Sequence, residues 1–231
     1  MAVNVDKFLV VHLIYPLCAL TILSMFILGF DIDAFIADYW YGVQGGTWAW
    51  KDRWLAEEFF HKGGRNTSLI FALATLMLLL ISCFQTRWIQ HRKPLLYLFL
   101  ATAGGSLFVS LLKSSLAVSC PWEFKMYGGN LVYHTVLEQL TLRDGKGCFP
   151  AGHASSGYAW ISLYFFGFLY KSTFRWAGLS ISLIAGIVLG VAQQIRGAHF
   201  ISHDVWTLAV CWFFSLFLFL VMFNKRQLIN S

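Results

Sequence analysis

Charge is scarce in this chain, and what there is does not cluster. Lys, Arg, Asp and Glu make up 12% of the 231 residues, against 58% hydrophobic residues. That balance, with its long uncharged runs, excludes an ordinary soluble globule and implies a polytopic membrane protein. The excess of 17 basic over 11 acidic residues is scattered along the flanks of the apolar runs. It therefore reads as a topology signal rather than a nucleic-acid surface. No repeat, heptad or low-complexity tract divides the chain, so a single membrane domain over 1–231 is the simplest organisation. No small-residue cleavage site follows the first apolar run, which makes that run a retained span rather than a removed signal peptide.

Six apolar runs are present, near Phe8–Phe30, Ser68–Phe84, Pro94–Leu112, Ala154–Tyr170, Phe174–Ile195 and Val205–Phe223. The expected fold is all-α, a bundle of six transmembrane helices. The basic residues Arg87, Arg92, Lys93, Lys171, Arg175, Lys225 and Arg226 fall in the loops and tail of one side. The opposite side carries Asp31, Asp33, Asp38, Asp52, Glu57 and Glu58 against Lys51, Arg53, Lys62 and Arg65. Cytoplasmic termini and outward-facing long loops follow. Between Ala34 and Phe60, aromatic residues alternate with charges and Gly45-Gly46 interrupts them, a pattern expected of short interfacial helices on the outer face. Gly178, Gly186 and Gly190 are expected to serve helix packing.

Three polar stretches converge on that outer side. Lys113 ends the third run and is followed by Cys120-Pro121. Pro150-Ala151-Gly152-His153 opens the fourth. Gln193 to Asp204 joins the fifth to the sixth and contains Arg196, His199 and His203. Ionisable groups at the end of a membrane span are costly to place and mark a functional site by default. Two cations, a pair of histidines and a carboxylate suit a phosphate ester. Lys113 and Arg196, with backbone amides around Ala151 and Gly152, would neutralise the phosphate oxygens. His199 would attack phosphorus, Asp204 would orient its ring, and His153 would protonate the leaving oxygen. A zinc site built from His153, His199, His203 and Asp204 is the competing reading, but the spacing matches no standard zinc motif and the adjacent cations disfavour a dication. No cofactor is expected. Cys18, Cys83 and Cys211 lie in apolar runs as packing residues, whereas Cys120 and Cys148 share a polar loop and can pair if it faces an oxidising compartment.

These motifs resemble the PAP2 superfamily, the type 2 phosphatidic acid phosphatases, in their membrane-bound branch. The family pattern is Lys, six residues, Arg-Pro; then Pro-Ser-Gly-His; then Ser-Arg, five residues, His, three residues, Asp. Here it reads Lys113 with Cys120-Pro121, then Pro150-Ala151-Gly152-His153, then Arg196-Gly197-Ala198-His199 with Asp204. The match is carried by roughly 94–223. The chain departs from the pattern at Cys120, where the family has a phosphate-binding Arg; Lys125, Arg143 or Lys146 are the local substitutes. It departs again at Ala151, at Gln193, and at Asp204, which is one residue late, with His203 in the usual place.

The resemblance implies a metal-independent lipid phosphate phosphatase working through a phosphohistidine at the non-cytoplasmic face of a bacterial-type inner membrane. Substrates within its range are undecaprenyl pyrophosphate, phosphatidylglycerophosphate, phosphatidic acid and lipid A phosphates. The expected partners are membrane lipids and not nucleic acid. Two alternatives stand beside it: a lipid phosphotransferase using the same phosphohistidine, and a non-catalytic transporter or scaffold whose charges are structural.

Overall fold

The computed structural model describes residues 5–54, 62–143, 145–170 and 172–223. Lys171, Lys225, Arg226 and the aromatic and acidic residues between 55 and 61 lie outside it. The described chain is helical, with one isolated bridge between Phe124 and Leu131. Among the described residues, five helices are long and apolar enough to cross a membrane: α1 (Lys7–Gly29), α3 (Gly64–Phe84), α4 (Ile89–Ser115), α8 (Phe174–Ile195) and α9 (Ile201–Met222), with mean hydropathies of 1.8 to 2.4 in their most apolar stretches. Between α1 and α3 lies the short α2 (Ile32–Val43), and α5 (Val136–Leu142) sits in the long loop after α4.

The expected count of six spans becomes five by length and hydropathy. The difference falls on the fourth. Its residues form α6 (Gly152–Tyr158), a 3-10 turn (Ala159–Ile161) and α7 (Ser162–Leu169), so no single helix there is long enough. This broken column is the most enclosed part of the bundle, with Ala154, Ala159, Ile161 and Phe165 wholly buried. α1 and α3 instead present Ile22, Met25, Ile70 and Phe71 outward. A helix apolar on every face is tolerated at the periphery only where the surroundings are apolar too.

The core is aromatic: Phe8, Tyr97, Phe165, Phe168 and Phe219 pack together beneath α6. α1 is anchored there by His12. Its Nδ1 meets the Phe8 carbonyl at 2.8 Å, its Nε2 meets the Tyr164 hydroxyl at 2.9 Å, and its own carbonyl accepts Trp212 Nε1 at 2.8 Å. The helix widens into a π turn at Val10–Ile14, where a carbonyl drawn sideways loosens the ordinary ladder. α2 stops just before Gly45 and Gly46, both with positive φ.

Candidate active site

The three polar stretches meet where α4 ends, α6 begins and α8 hands over to α9. Lys113 lies in the last turn of α4. Its side chain runs across Gly152, where an added Cβ would sit 3.9 Å from Nζ. Gly152 and His153 open α6. Half-buried beside the first turn of α6, Lys113 puts a cation and that turn's amides on the same small volume, the arrangement an anionic group needs.

His199 occupies the tight connection between α8 and α9 and is 3% exposed. Its Nδ1 lies 3.3 Å from Nδ1 of His203, which is completely buried, and both rings lie within hydrogen-bonding reach of the Cys148 backbone. Burial holds the His199 imidazole well below its usual pKa, and the neighbouring His203, Lys113 and His153 push the same way. His199 is therefore neutral at neutral pH, the protonation state of a nucleophile. Phe149 and Phe200 set their ring edges against His203 at 5.3 and 5.5 Å and keep it in place.

Asp204 is turned elsewhere. Its Oδ2 accepts Gln194 Nε2 at 2.6 Å, and the carboxylate lies against Gly190, where a Cβ would come within 2.7 Å of Cγ. Consecutive residues of a helix point about 100° apart, so once His203 faces His199 its neighbour must face α8. The ring next to His199 is thus His203, and Asp204 reaches the site through Gln194 and the α8–α9 contact. Gly190, expected to serve packing, is what lets that carboxylate approach.

Arg196 is 6% exposed. Nε donates to the Lys51 carbonyl at 2.8 Å and Nη1 to Gln193 Oε1 at 3.3 Å. Gln193 holds Arg196, and Arg196 ties the end of α8 to the segment after α2. The Ala151 amide, expected to face phosphate, donates to Thr207 Oγ1 at 2.7 Å, which leaves Gly152 as the glycine-rich donor of that stretch. Among the substitutes for the missing Arg, Lys125 is exposed, Lys146 pairs with Glu123 at 3.5 Å, and Arg143 caps α5 with φ 54°. Cys120 and Cys148 form a disulfide across 28 residues. With Cys148 N–H donating to the Val118 carbonyl at 2.7 Å, that bond holds the stretch leading into Pro150 against the end of α4.

Residues not singled out from the sequence complete the site. Thr207, Gln194 and Phe149 flank the motifs and carry an i+4 or adjacent-residue signal. Asp33, Gln44 and Lys51 come from far upstream and carry none.

A helical membrane protein with a sealed imidazole pair beside a half-buried lysine is the class this geometry defines. A family model described as PAP2 superfamily matches residues 94–227, more than half of the chain. The chain belongs to that superfamily, whose members are generally phosphatases. No curated protein and no solved structure matches it.

Proposed function

We propose that this protein is an integral-membrane lipid phosphate phosphatase with a phosphohistidine intermediate. The observation that carries the reading is the His199–His203 contact, closed off from solvent and within electrostatic reach of Lys113 and His153. A lone pair on a His199 imidazole nitrogen forms the N–P bond as the P–O bond to the lipid alcohol breaks. His153 gives its proton to that leaving oxygen. Water then attacks phosphorus, returns a proton to His153 and releases phosphate from His199. Lys113, Arg196 and the Gly152 amide offset the charge that builds on the non-bridging oxygens. His203 orients the nucleophile, and Asp204 braces the helix that carries it.

A lipid substrate is supported by an apolar cavity of about 720 Å³ between α3, α6 and α8. Its lining reaches Ser156 and Gly157, one turn below His153, and continues past Ser68, Phe71, Trp160 and Leu189. A hydrocarbon tail can lie there while its phosphate stays at the helix ends. For sidedness, 152–169 rises roughly 27 Å at 1.5 Å per residue, close to one bilayer core, and so serves as the sixth crossing. With six crossings, the distribution of basic loops supports an outward-facing site.

Purified protein assayed on phosphatidic acid, phosphatidylglycerophosphate, a polyprenyl pyrophosphate and a phosphorylated lipid A tests the reading. Phosphate release by the wild type and not by His199→Ala is the expected result. No release from any of them, or equal release by the variant, overturns it.

A second apolar cavity, about 300 Å³ and bounded by Leu112, Leu116, Phe149, Pro150 and Trp206, flanks the same stretches on the α1 side. It favours a second reading, transfer of the phosphoryl group to a lipid hydroxyl in place of water. Mass spectrometry of products formed from mixed donor and acceptor lipids separates the two.

A further inference from the structure

Asp33 sits near the start of α2, in the part of the chain that precedes the family match. Its carboxylate is 5% exposed, and Oδ1 accepts the backbone N–H of Ser202 at 2.9 Å. Ser202 is the second residue of α9, so its N–H is one of the first-turn donors that no carbonyl of the same helix can reach. The residue at the capping position, Phe200, has no side-chain oxygen to offer. α9 is therefore capped by an acceptor 169 residues away in sequence.

The turn closed in this way begins directly after His199 and contains His203 and Asp204. Two further contacts from the same upstream segment grip the other end of the connection: Gln44 Nε2 donates to the Ile195 carbonyl at 2.9 Å, and the Lys51 carbonyl accepts Arg196 Nε. Gly197, at φ +71°, fits under the ring of Trp48, where any Cβ would collide. The connection carrying His199 is thus held from outside at both ends.

We propose that Asp33 is a positioning residue for phosphoryl transfer: by capping α9 it fixes His203, and through His203 the ring of His199. The inference rests on the phosphatase reading above. Asp33 is not a favourable charge in its own right. Burial pushes its pKa up to about 6 in spite of the Ser202 contacts. The titratable groups facing it are acids as well: Asp31 at the start of its own helix, Tyr127 and Tyr133 from the long loop, and Asp204 on α9. A neutral side chain of the same shape relieves that cost while keeping an oxygen for Ser202.

The test compares D33A, D33N and D33E with the wild type on whichever lipid phosphate the wild type hydrolyses, measuring kcat, KM and thermal unfolding at pH 7 on monodisperse protein. In D33A the loss of the cap lowers kcat about 10- to 100-fold, the scale of a sub-ångström to ångström misplacement. KM stays within about twofold, because the substrate contacts are untouched. D33N restores kcat to within about threefold of the wild type, since its amide oxygen still accepts, and unfolds no earlier than the wild type. D33E keeps the charge on a longer arm and stays slow. Wild-type kcat in D33A, a D33N variant as slow as D33A, or kcat that simply follows unfolding temperature across the series overturns the inference. If D33A is not recovered folded, the comparison of D33N with D33E decides. Absence of phosphate release by the wild type overturns the phosphatase reading, and this inference with it; release by the wild type with an unaffected D33A overturns this inference alone.

Discussion

His12 and His199 are both buried in an apolar helix bundle, at 5% and 3% exposure, and they are partnered in opposite ways. His12 has a fixed, neutral partner on each ring nitrogen, the Phe8 carbonyl and the Tyr164 hydroxyl, and lies stacked on Phe8 at 4.1 Å between ring centres. His199 faces another histidine and the Cys148 backbone, and Lys113 and His153 act on it electrostatically. One imidazole completes a set of hydrogen bonds with neutral groups; the other lies beside a second imidazole and within electrostatic reach of a lysine. Burial of an ionisable side chain in a membrane bundle is therefore half of a functional signal. The chemistry of its neighbours supplies the rest.

The largest effect that can break this contrast comes from the two alanine variants. His199→Ala should lower phosphate release at least about 1,000-fold, as removal of a nucleophile does, with unfolding temperature nearly unchanged. His12→Ala should do the reverse. It leaves the Tyr164 hydroxyl unpaired and opens space in the aromatic core, at a stability cost of about 3 kcal/mol, with kcat per folded molecule close to the wild type. Activity lost in His12→Ala without loss of stability would erase the distinction.

Next in size is Lys113→Met, which keeps the side chain's bulk and removes its charge. It should lower kcat about 100-fold, and inorganic vanadate should cease to raise the unfolding temperature. The pH profile sharpens the contrast further. Because burial lowers the His199 pKa, kcat/KM should hold as pH falls through 6.5 and decline only below it. An acid limb at or above 6.5 would mean that the ring is solvated during turnover.

The smallest effect concerns Asp33. Its folded pKa of about 6 lies above the ordinary 3.8, so the folded state binds more protons across that window. Stability tied to this group is present at low pH and is lost as pH rises through about 6. In D33N that slope should vanish, and unfolding curves at pH 4 and pH 7 should move closer together than in the wild type.

Much of the architecture was legible because apolar length is a local property. The span expected at Phe174–Ile195 is the observed α8, and Phe8–Phe30 differs from α1 by one residue at each end. Misplaced boundaries have nearby physical causes. The helix of the third span starts at Ile89 and passes through Pro94, which gives up one bond to the preceding turn and crowds the carbonyl four residues back. The sixth starts at Ile201 rather than Val205, because Asp33 caps it from a distance that no local window includes. The fourth is broken by a 3-10 turn that hydropathy does not register.

The site divides along the same line. The stretches that hold Lys113, Gly152, His153, Arg196 and His199 were legible from motif order and spacing, and the structure assembles those stretches at one end of the bundle. The relative parts of His203 and Asp204 were not, since a one-residue difference in spacing rotates a helical side chain by about 100° and exchanges which of the two meets His199. Nor was the tie from Arg196 to the Lys51 carbonyl, which depends on a contact between segments 145 residues apart.

Attack by His199 on phosphorus is tested most directly by trapping the intermediate. The wild type is mixed with lipid substrate carrying labelled phosphate, denatured in alkali within a turnover, digested and sequenced by mass spectrometry. The account predicts an acid-labile, alkali-stable phosphate on the peptide containing His199, located on that ring and missing from His199→Ala. Turnover with no protein-bound phosphate, or phosphate carried by another residue, would contradict it.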